Sequence, residues 1–580
     1  MADIATGKDG VTVGRARLIV RLRHFDPSLL ALCAFGLVLV MLVVNPLARL
    51  ILTGFTAQDT GRFTIANYIT AYTTLRHLQA LGNSLLLGIC ASALCVVFAV
   101  PIAWGISRTD MPLKGLVRAL VLGAFITPSY LGAIGWMLLA GPNAGWLNRA
   151  VIALTGVKQG PFNIFSFPGV IFVVAIYSFP YIFVFATAAL ELISSELEEA
   201  AAILGSGMLR TTLKITLPMA LPAILGGVIV TFLEAISLFG APTMIGVPAH
   251  VYVITTELWQ MFFEVPSQVG VAAAYAMPLL LVTLILFWWQ QRIVGRRGYA
   301  SLTGKGGERR ILELGGFRWV LLGYALFVVS LPVILPYLTL AQAAFSKAWG
   351  QGLSFDNFTL NNFKFILFNF PTGMHSILNS IVYAGISASF AIVLALVIAY
   401  IVVRRLIPFG RILSFLCLAP FVIPGMVLAI GFYASYTQPP IQLYDTMWIM
   451  ILAFTTRFLP IAYACSEAAV RSVNPEMEDA VRILGGGRLT ALRRVVAPLL
   501  KSGLIGAWLL VFIPATKELA SAMFLYGPKT QTMSIVLFNM VGDGDFEQMS
   551  AFGLLLLGST IASVMIGYKL LGRDFMLRRG

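Results

Sequence analysis

The chain contains the stretch Ser195-Glu196-Leu197-Glu198-Glu199-Ala200-Ala201-Ala202-Ile203-Leu204-Gly205, and a second version reads Pro475-Glu476-Met477-Glu478-Asp479-Ala480-Val481-Arg482-Ile483-Leu484-Gly485. Each version leads to a proline, Pro218 or Pro498, at the same distance. The offset between the two copies is 280 residues throughout, without a gap. A constant offset over this length is evidence of an internal repeat.

Both copies predict a short helix, a glycine break and a second helix. Asn474 can cap the helix of the second copy, and Ser195 has capping-box spacing to Glu198 in the first. Gly205 and Gly485 are expected to end the helices, because glycine tolerates the left-handed conformation that a helix end requires. Each copy lies between long apolar segments, so each is predicted to form a polar elbow at a membrane surface.

The first copy resembles the EAA signature of ABC importer permeases, which reads E-A-A, three residues, G, nine residues, I, any residue, L-P. In that family the loop is a coupling helix that docks into a separate ATPase subunit. The second copy departs from the signature but keeps charge sign or apolar character. The positions that the resemblance implies for ATPase coupling are Glu198, Glu199, Ala200, Ala201, Gly205, Ile215, Leu217 and Pro218, and then Glu478, Asp479, Ala480, Gly485, Val495 and Pro498. The alternative interpretation is two ordinary amphipathic interfacial hairpins.

The composition is that of a multi-pass membrane protein. Of 580 residues, 59% are hydrophobic and 11% are charged, with a mean hydropathy of +0.88. Soluble proteins carry about 25% charged residues. The net charge of +15 would fit nucleic acid binding, but most of the 40 lysines and arginines fall in alternate loops. This is the positive-inside pattern, so we expect a lipid bilayer and no nucleic acid, with both elbows and both termini cytoplasmic.

Apolar segments near the 20 residues that a bilayer requires predict about twelve transmembrane helices, six in each half. The predicted spans are 28–52, 83–107, 116–140, 167–190, 221–245, 269–290, 317–342, 376–403, 412–437, 445–470, 501–526 and 549–571. Two further repeats, Asn83-Ser84 with Asn379-Ser380 and Ile126-Thr127-Pro128 with Val422-Ile423-Pro424, share an offset of 296 residues. The fold class is therefore an all-α membrane protein, and the resemblance implies two tandem six-helix halves of the type I importer permease fold.

The domain prediction follows from these spans. We expect a cytoplasmic N-terminal tail (1–27), a first permease half (28–291) with its EAA loop at 191–220, a flexible cytoplasmic linker (292–316), and a second half (317–580) with its EAA loop at 471–500. The linker is rich in arginine and glycine. The resemblance places the chain in a bacterial inner membrane.

Four charged residues stand out inside predicted spans: Glu234, Arg457, Lys517 and Glu518. Charges in a membrane are costly and are functional candidates by default. Because these four sum to zero, mutual pairing is the simpler interpretation, and the alternative is that some line a translocation path or gate. Gly240-Ala241-Pro242 lies at the matching place in the first half and could break a helix near such a gate.

The sequence has no G-x-x-x-x-G-K-[ST] phosphate-binding loop and no nucleophile–base arrangement, so no catalytic residue is predicted. The 5 cysteines and 4 histidines show no ligand spacing, so no metal site is predicted. The chain is expected to hold no cofactor. The resemblance implies two copies of a cytoplasmic ABC ATPase that bind ATP and Mg, and an extracytoplasmic solute-binding protein.

Substrate is the least determined property. The fused arrangement resembles the ferric-iron permease branch first, with the 2-aminoethylphosphonate, thiamine and polyamine branches as alternatives. Outside this class, an ion-coupled secondary transporter can also show six-plus-six repeats. It would need acidic coupling residues in its spans, for which only Glu234 and Glu518 qualify, and it gives no reason for matched elbows. A membrane enzyme would need a polar catalytic loop, and none is evident.

Overall fold

The computed structural model describes residues 27–193, 196–296, 311–352, 354–486 and 488–571. These residues form helices joined by turns, and none of them belongs to a β-strand beyond isolated bridges. Nearly all of the predicted tail 1–27 and the central part of the predicted linker lie outside the described residues. The all-α fold predicted from the sequence is confirmed. A chain in lipid must satisfy its backbone hydrogen bonds internally, and helices do so within one segment.

The first half contains fourteen α-helices among the described residues. They are α1 (Pro27–Leu39), α2 (Asn45–Gly54), α3 (Ala66–Thr73), α4 (Leu75–Arg108), α5 (Lys114–Ile126), α6 (Ser129–Ala140), α7 (Trp146–Thr155), α8 (Phe167–Leu192), α9 (Glu196–Ile203), α10 (Met208–Thr211), α11 (Leu217–Ser237), α12 (Ile254–Phe263), α13 (Val269–Tyr275) and α14 (Met277–Arg296). A π-helical turn, Val40–Val44, joins α1 to α2, and another, Thr212–Thr216, joins α10 to α11.

The second half repeats this order. Its helices are α15 (Phe317–Val329), α16 (Leu335–Ala344), α17 (Asn361–Lys364), α18 (Pro371–Val403), α19 (Gly410–Leu418), α20 (Gly425–Tyr436), α21 (Met447–Ser472), α22 (Glu476–Ile483), α23 (Arg488–Ala491), α24 (Ala497–Leu499), α25 (Lys501–Thr516), α26 (Ala522–Leu525), α27 (Met533–Asp543) and α28 (Phe546–Leu571). The π-turns recur at Ser330–Ile334 and Leu492–Val496. The repeat therefore extends to local irregularities of the backbone.

Two of the predicted spans are bent rather than straight. Nine helices in the described residues are long and apolar enough to cross a membrane, or twelve if each of three bent pairs is one span. Helices α5 and α6 meet at 101°, and the corresponding pair in the second half, Gly410–Phe421 and Gly425–Tyr436, meets at 111°. The sequence interpretation of 116–140 and 412–437 as single spans is wrong in this respect. Pro128 and Pro424 stand at the bends, because a residue before proline is driven out of the helical conformation.

The two halves interlock through their first helices. Helix α2 packs against α20 of the second half, and α16 packs against α6 of the first. Each contact has a glycine at its centre, since a Cβ on Gly431 would lie 2.5 Å from the Pro46 carbonyl oxygen and a Cβ on Gly135 would lie 2.6 Å from the Pro336 Cβ. The indole of Trp136 also donates a hydrogen bond to the Leu331 carbonyl across the halves, at 3.1 Å. The halves therefore cannot separate as independent bundles.

The described ends of the predicted linker are structured. Helix α14 continues past residue 292 to Arg296. On the other side, the Leu312 backbone N–H donates to the Arg108 carbonyl at 2.8 Å, and the Leu314 N–H donates to the Asp110 carboxylate at 2.9 Å. The Leu314 N–H, with the Arg318 guanidinium, lowers the pKa of Asp110. The predicted linker is therefore ordered at both of its described ends, and residues 297–310 lie outside the described part.

Candidate functional site

The first elbow folds as a capped helix with a reversed exit. Helix α9 ends at Ile203, and the chain leaves it through Gly205, whose φ is +78°. The Ser206 N–H donates to the Ala201 carbonyl and the Gly205 N–H donates to the Ala202 carbonyl, both at 2.9 Å. These are the two hydrogen bonds of a Schellman motif. The left-handed conformation predicted for Gly205 is confirmed.

The second elbow repeats this geometry. Gly485 has a φ of +82°, and the Gly486 N–H donates to the Val481 carbonyl at 2.9 Å. The Asn474 side chain accepts from the Glu476 N–H at 3.1 Å, so the predicted cap of this helix is confirmed. Ser195, the predicted cap of the first elbow, lies outside the described residues.

Each elbow exposes an apolar pair at its tip. Ile203 and Leu204 are 86% and 87% exposed, and Ile483 and Leu484 are 85% and 88% exposed. A pair of large apolar side chains exposed at the end of an otherwise polar helix is a candidate surface for binding a partner. We call these four residues the tip residues.

The structure separates the sequence-predicted coupling residues by exposure. Where both elbows contribute a predicted residue, equivalent positions have matching exposure. Exposed are Glu199, Ala200, Gly205, Pro218, Asp479, Ala480, Gly485 and Pro498; half-buried are Ile215, Leu217 and Val495; buried are Glu198, Ala201 and Glu478. The two buried glutamates therefore face the protein's own interior, whereas Glu199 and Asp479 face outward.

The four intramembrane charges gather where the halves meet. Glu234 lies in the last turn of α11 and Arg457 in the middle of α21, while Lys517 and Glu518 follow the end of α25. All four are half-buried although they belong to transmembrane segments. They therefore border a space inside the bundle rather than its packed core.

Lys517 binds a helix end of the other half. Its Nζ donates to the carbonyls of Ile126, at 2.7 Å, and Phe125, at 3.2 Å. These carbonyls are the last of α5, at the bend before Pro128. A cation is favoured at a helix C-terminus, where the unpaired carbonyls carry partial negative charge.

Arg457 performs the equivalent task in the second half. Its Nη1 donates to the Ile423 carbonyl at 2.7 Å, directly before Pro424. A Cβ placed on Gly425 would lie 3.0 Å from the Ser521 Oγ and 3.4 Å from both the Arg457 Nε and the Glu518 Oε1, so Gly425 packs closely among these side chains. Both bends of the membrane domain are thus stabilised by a cation at their free carbonyls.

The expectation that the four charges pair with one another is wrong. Within the described residues, no two of them approach within the 4.0 Å of an ion pair. Glu518 instead accepts from the Ser521 N–H at 2.9 Å and from its hydroxyl at 3.0 Å. Arg457, Glu518 and Lys517 still contribute to the electrostatic potential at Glu234. The cluster is electrostatically balanced without direct contacts.

The break predicted near Gly240-Ala241-Pro242 is present. Helix α11 ends at Ser237, and the chain continues through a π-turn, Pro242–Gly246. A Cβ on Gly240 would lie 2.6 Å from the Tyr130 Cβ, so glycine permits close approach to α6. Whether this break belongs to a gate stays a prediction.

Two important residues were missed by the sequence interpretation, Arg108 and Arg404. Each lies at the end of the longest helix of its half and binds the buried glutamate of its elbow. Their offset is 296 residues, the offset that relates Asn83 to Asn379. The repeat offset relates the two arginines to each other. Counting both only as basic residues of the loops hid this relation.

Comparison with known proteins agrees with this architecture. The model of the family described as "Binding-protein-dependent transport system inner membrane component" matches residues 95–299 and 391–576, one match in each half. The chain is 25% identical to the ferric transport system permease protein FbpB of Actinobacillus pleuropneumoniae over 506 residues, which cover 84% of this chain and 70% of that protein. It is 23% identical to the putative 2-aminoethylphosphonate transport system permease protein PhnV of Salmonella typhimurium over 240 residues, 41% of this chain and 89% of that protein.

Among solved structures, a bacterial alginate ABC transporter in complex with an alginate-pentasaccharide-bound periplasmic protein aligns with a TM-score of 0.37 and 16% identity. The alignment covers 50% of this chain and 98% of that chain. The family model spans more than half of the chain and occurs once in each half. The chain therefore belongs to the binding-protein-dependent transport system inner membrane component family, as a permease with two fused halves.

Proposed function

We propose that this chain is the membrane permease of an ATP-driven importer, and that it carries ferric iron delivered by an extracytoplasmic binding protein. The observation that carries the proposal is the pair of equivalent elbows, each with two exposed apolar tip residues. Two equivalent docking surfaces fit two copies of one ATPase subunit. An ion-coupled transporter has no use for such a pair.

The energy source lies outside this chain. The sequence contains no phosphate-binding loop, so ATP and Mg bind to the partner ATPase subunits. The family favours a bacterial inner membrane, and the basic loops favour both elbows and both termini in the cytoplasm. Closure of the ATPase dimer moves the two elbows together, and the membrane halves respond by alternating access.

The intramembrane cluster of Glu234, Arg457, Lys517 and Glu518 is the candidate path or gate. Lys517 belongs to the second half and binds carbonyls of the first, so relative motion of the halves must strain or break this contact. The four side chains are half-buried, which is expected for groups that border a solute path. The polar groups change partners as the path opens and closes.

The similarity to ferric permeases favours iron. No group of three or more histidine, cysteine or acidic residues among the described residues could hold a metal ion, so the permease is expected to bind iron only weakly in transit. Selection then rests with the binding protein. The half-length similarity to a 2-aminoethylphosphonate permease keeps phosphonate as the second candidate, with thiamine and polyamines as further branches.

The test is purification of the affinity-tagged chain from its native membranes under mild conditions. We expect an ABC ATPase to co-purify in two copies, and the associated binding protein to contain iron by metal analysis. Replacing Ile203 and Leu204 with serine should release the ATPase, whereas Leu154→Ser, at an 86% exposed position on the opposite face, should not. Retention of the ATPase by the tip variant would refute the docking surface, and a phosphonate in the binding protein would refute iron.

A further inference from the structure

Each coupling helix hides one carboxylate. Helix α9 is exposed along most of its length, yet Glu198 is only 2% exposed, and in α22 Glu478 is 7% exposed. Burial of a carboxylate is costly unless a cation and hydrogen bonds compensate it. The same burial at equivalent positions of both halves therefore requires an explanation within the chain.

In the first half, the compensating cation is Arg108, the last residue of α4. Its Nη1 lies 3.7 Å from the Glu198 Oε2, and its Nη2 donates to the Ile193 carbonyl at 2.6 Å. The Thr216 hydroxyl donates to the other carboxylate oxygen at 2.7 Å. Arg108 is 1% exposed, so this ion pair is shielded from solvent.

In the second half, the cation is Arg404, directly after α18. Its Nε donates to the Glu478 Oε1 at 2.7 Å, and its Nη2 donates to the Val473 carbonyl at 2.8 Å. The Tyr400 hydroxyl donates to the Glu478 Oε2 at 2.7 Å. The arrangement repeats that of the first half, with a different hydroxyl.

The hydroxyl that donates to the buried carboxylate comes from a different position in each half. The repeat pairs Tyr400 with Trp104, and Thr216 with Val496. Each half thus keeps one hydroxyl for the second carboxylate oxygen and replaces the other with a side chain that cannot supply it. A buried ion pair is often no more stable than an apolar core of similar volume. If each pair only filled space, apolar side chains could replace it, and neither half would need a hydroxyl for the carboxylate.

Each arginine joins three elements. The planar guanidinium binds the carboxylate and a carbonyl at once, which the single ammonium of lysine cannot do in the same geometry. The carbonyls of Ile193 and Val473 lie where α8 and α21 end. Arg108 therefore links the ends of α4 and α8 to α9, and Arg404 links the ends of α18 and α21 to α22.

We propose that Arg108–Glu198 and Arg404–Glu478 are positioning pairs that transmit motion from each coupling helix to the longest membrane helix of its own half. The inference rests on the proposed function, because it assumes that an ATPase moves the coupling helices. Glu198 and Glu478 act inside the permease, and contact with the ATPase is left to Glu199, Asp479 and the tip residues. Helices α4 and α18 are not adjacent to the elbows in sequence, so these pairs link them to the coupling helices.

The test uses the complex of the full chain with its co-purified ATPase, reconstituted in nanodiscs. Spin labels on cysteines at Leu154 and Gln442, exposed on the face opposite the elbows in different halves, report the distance between the halves. Native cysteines are replaced beforehand. The measurement compares this distance without nucleotide and with ATP plus vanadate, beside ATP hydrolysis and ATPase retention.

We expect Arg404→Met to retain the ATPase and its hydrolysis but to lose the nucleotide-dependent distance change. The charge exchange Arg404→Glu with Glu478→Arg should restore part of it. Arg118→Met is the matched control, since Arg118 forms an ion pair of 2.5 Å with Glu191 on the same side without involving a coupling helix. It should leave the distance change intact.

A full distance change in Arg404→Met would overturn the proposal, as would an equal loss in Arg118→Met. If Arg404→Met does not assemble, the milder variants Thr216→Val and Tyr400→Phe decide, because each should reduce the distance change without dissociating the complex. An unaltered distance change in both would also overturn it. Absence of the ATPase from the unaltered chain would instead refute the proposed function.

Discussion

Replacing Gly205 with alanine should weaken ATPase docking through backbone strain alone. Gly205 has a φ of +78°, and a Cβ there would meet nothing within 4 Å, so no steric clash contributes. The left-handed conformation costs an L-residue about 1–2 kcal/mol. If the residue left this conformation, the two Schellman hydrogen bonds would be lost. The helix end is therefore destabilised by at most about 1–2 kcal/mol.

This energy lowers the fraction of molecules in which the helix end of the elbow is capped. If the ATPase recognises only the capped helix, a cost of 1–2 kcal/mol reduces its apparent affinity by roughly five- to thirtyfold. Gly485 has a φ of +82° with the same open surroundings, so Gly485→Ala should have a similar effect. The two effects should be nearly additive, because the sites share no partner.

The assay is titration of the purified ATPase onto the permease in nanodiscs. Gly207→Ala is the matched control, because Gly207 has a φ of −65° and equally open surroundings. Gly205→Asn should lose less affinity than Gly205→Ala, since asparagine tolerates the left-handed region better. Equal affinity for the Gly205 and Gly207 alanine variants would refute the reasoning.

Three further predictions concern packing, the bends and the linker. Gly431→Ala should destabilise the interlocked halves by about 1–3 kcal/mol, because its Cβ meets backbone; Gly323→Ala, with nothing within 4 Å, should not, and equal melting temperatures in detergent would contradict this. Lys517→Met should lower the melting temperature by leaving helix-end carbonyls without their cation, at a cost of about 1 kcal/mol for a half-buried group; an unchanged value would argue that the contact is dispensable. Because the pKa of Asp110 is lowered, its contact with Leu314 should be complete at neutral pH and disappear as the pH falls through that lowered value. Asp110→Asn should accelerate hydrogen exchange at the Leu314 amide at neutral pH, and unchanged exchange would refute the contact.

The sequence predicted best what local rules determine. Gly205 and Gly485 could be assigned to helix ends because glycine is the residue that such ends require. The transmembrane spans followed from apolar length. The bends at Pro128 and Pro424 were only partly accessible, because a proline inside an apolar segment is compatible with either a kink or a break.

What depends on distant partners was not predictable in the same way. Lys517 and Arg457 were expected to pair with carboxylates, yet they bind helix-end carbonyls, and only the fold determines which acceptor a long side chain can reach. The interlocking of α2 with α20 has no local signature, because no local rule specifies a packing partner in the other half of the chain. Arg108 and Arg404 are the exception, since the repeat offset alone would have related them.

The interlocked first helices impose an order on biosynthesis. Helix α2 inserts early, but the residue against which it packs, Gly431, is 385 residues further along the chain than Pro46. At about 5–20 residues per second, translation leaves α2 without this packing partner for roughly 20–80 seconds. During this interval the first half is an incomplete intermediate that the insertion machinery must shelter. A gene split within the linker would yield two fragments that each need the other's first helix, so stable accumulation of either alone would not be expected.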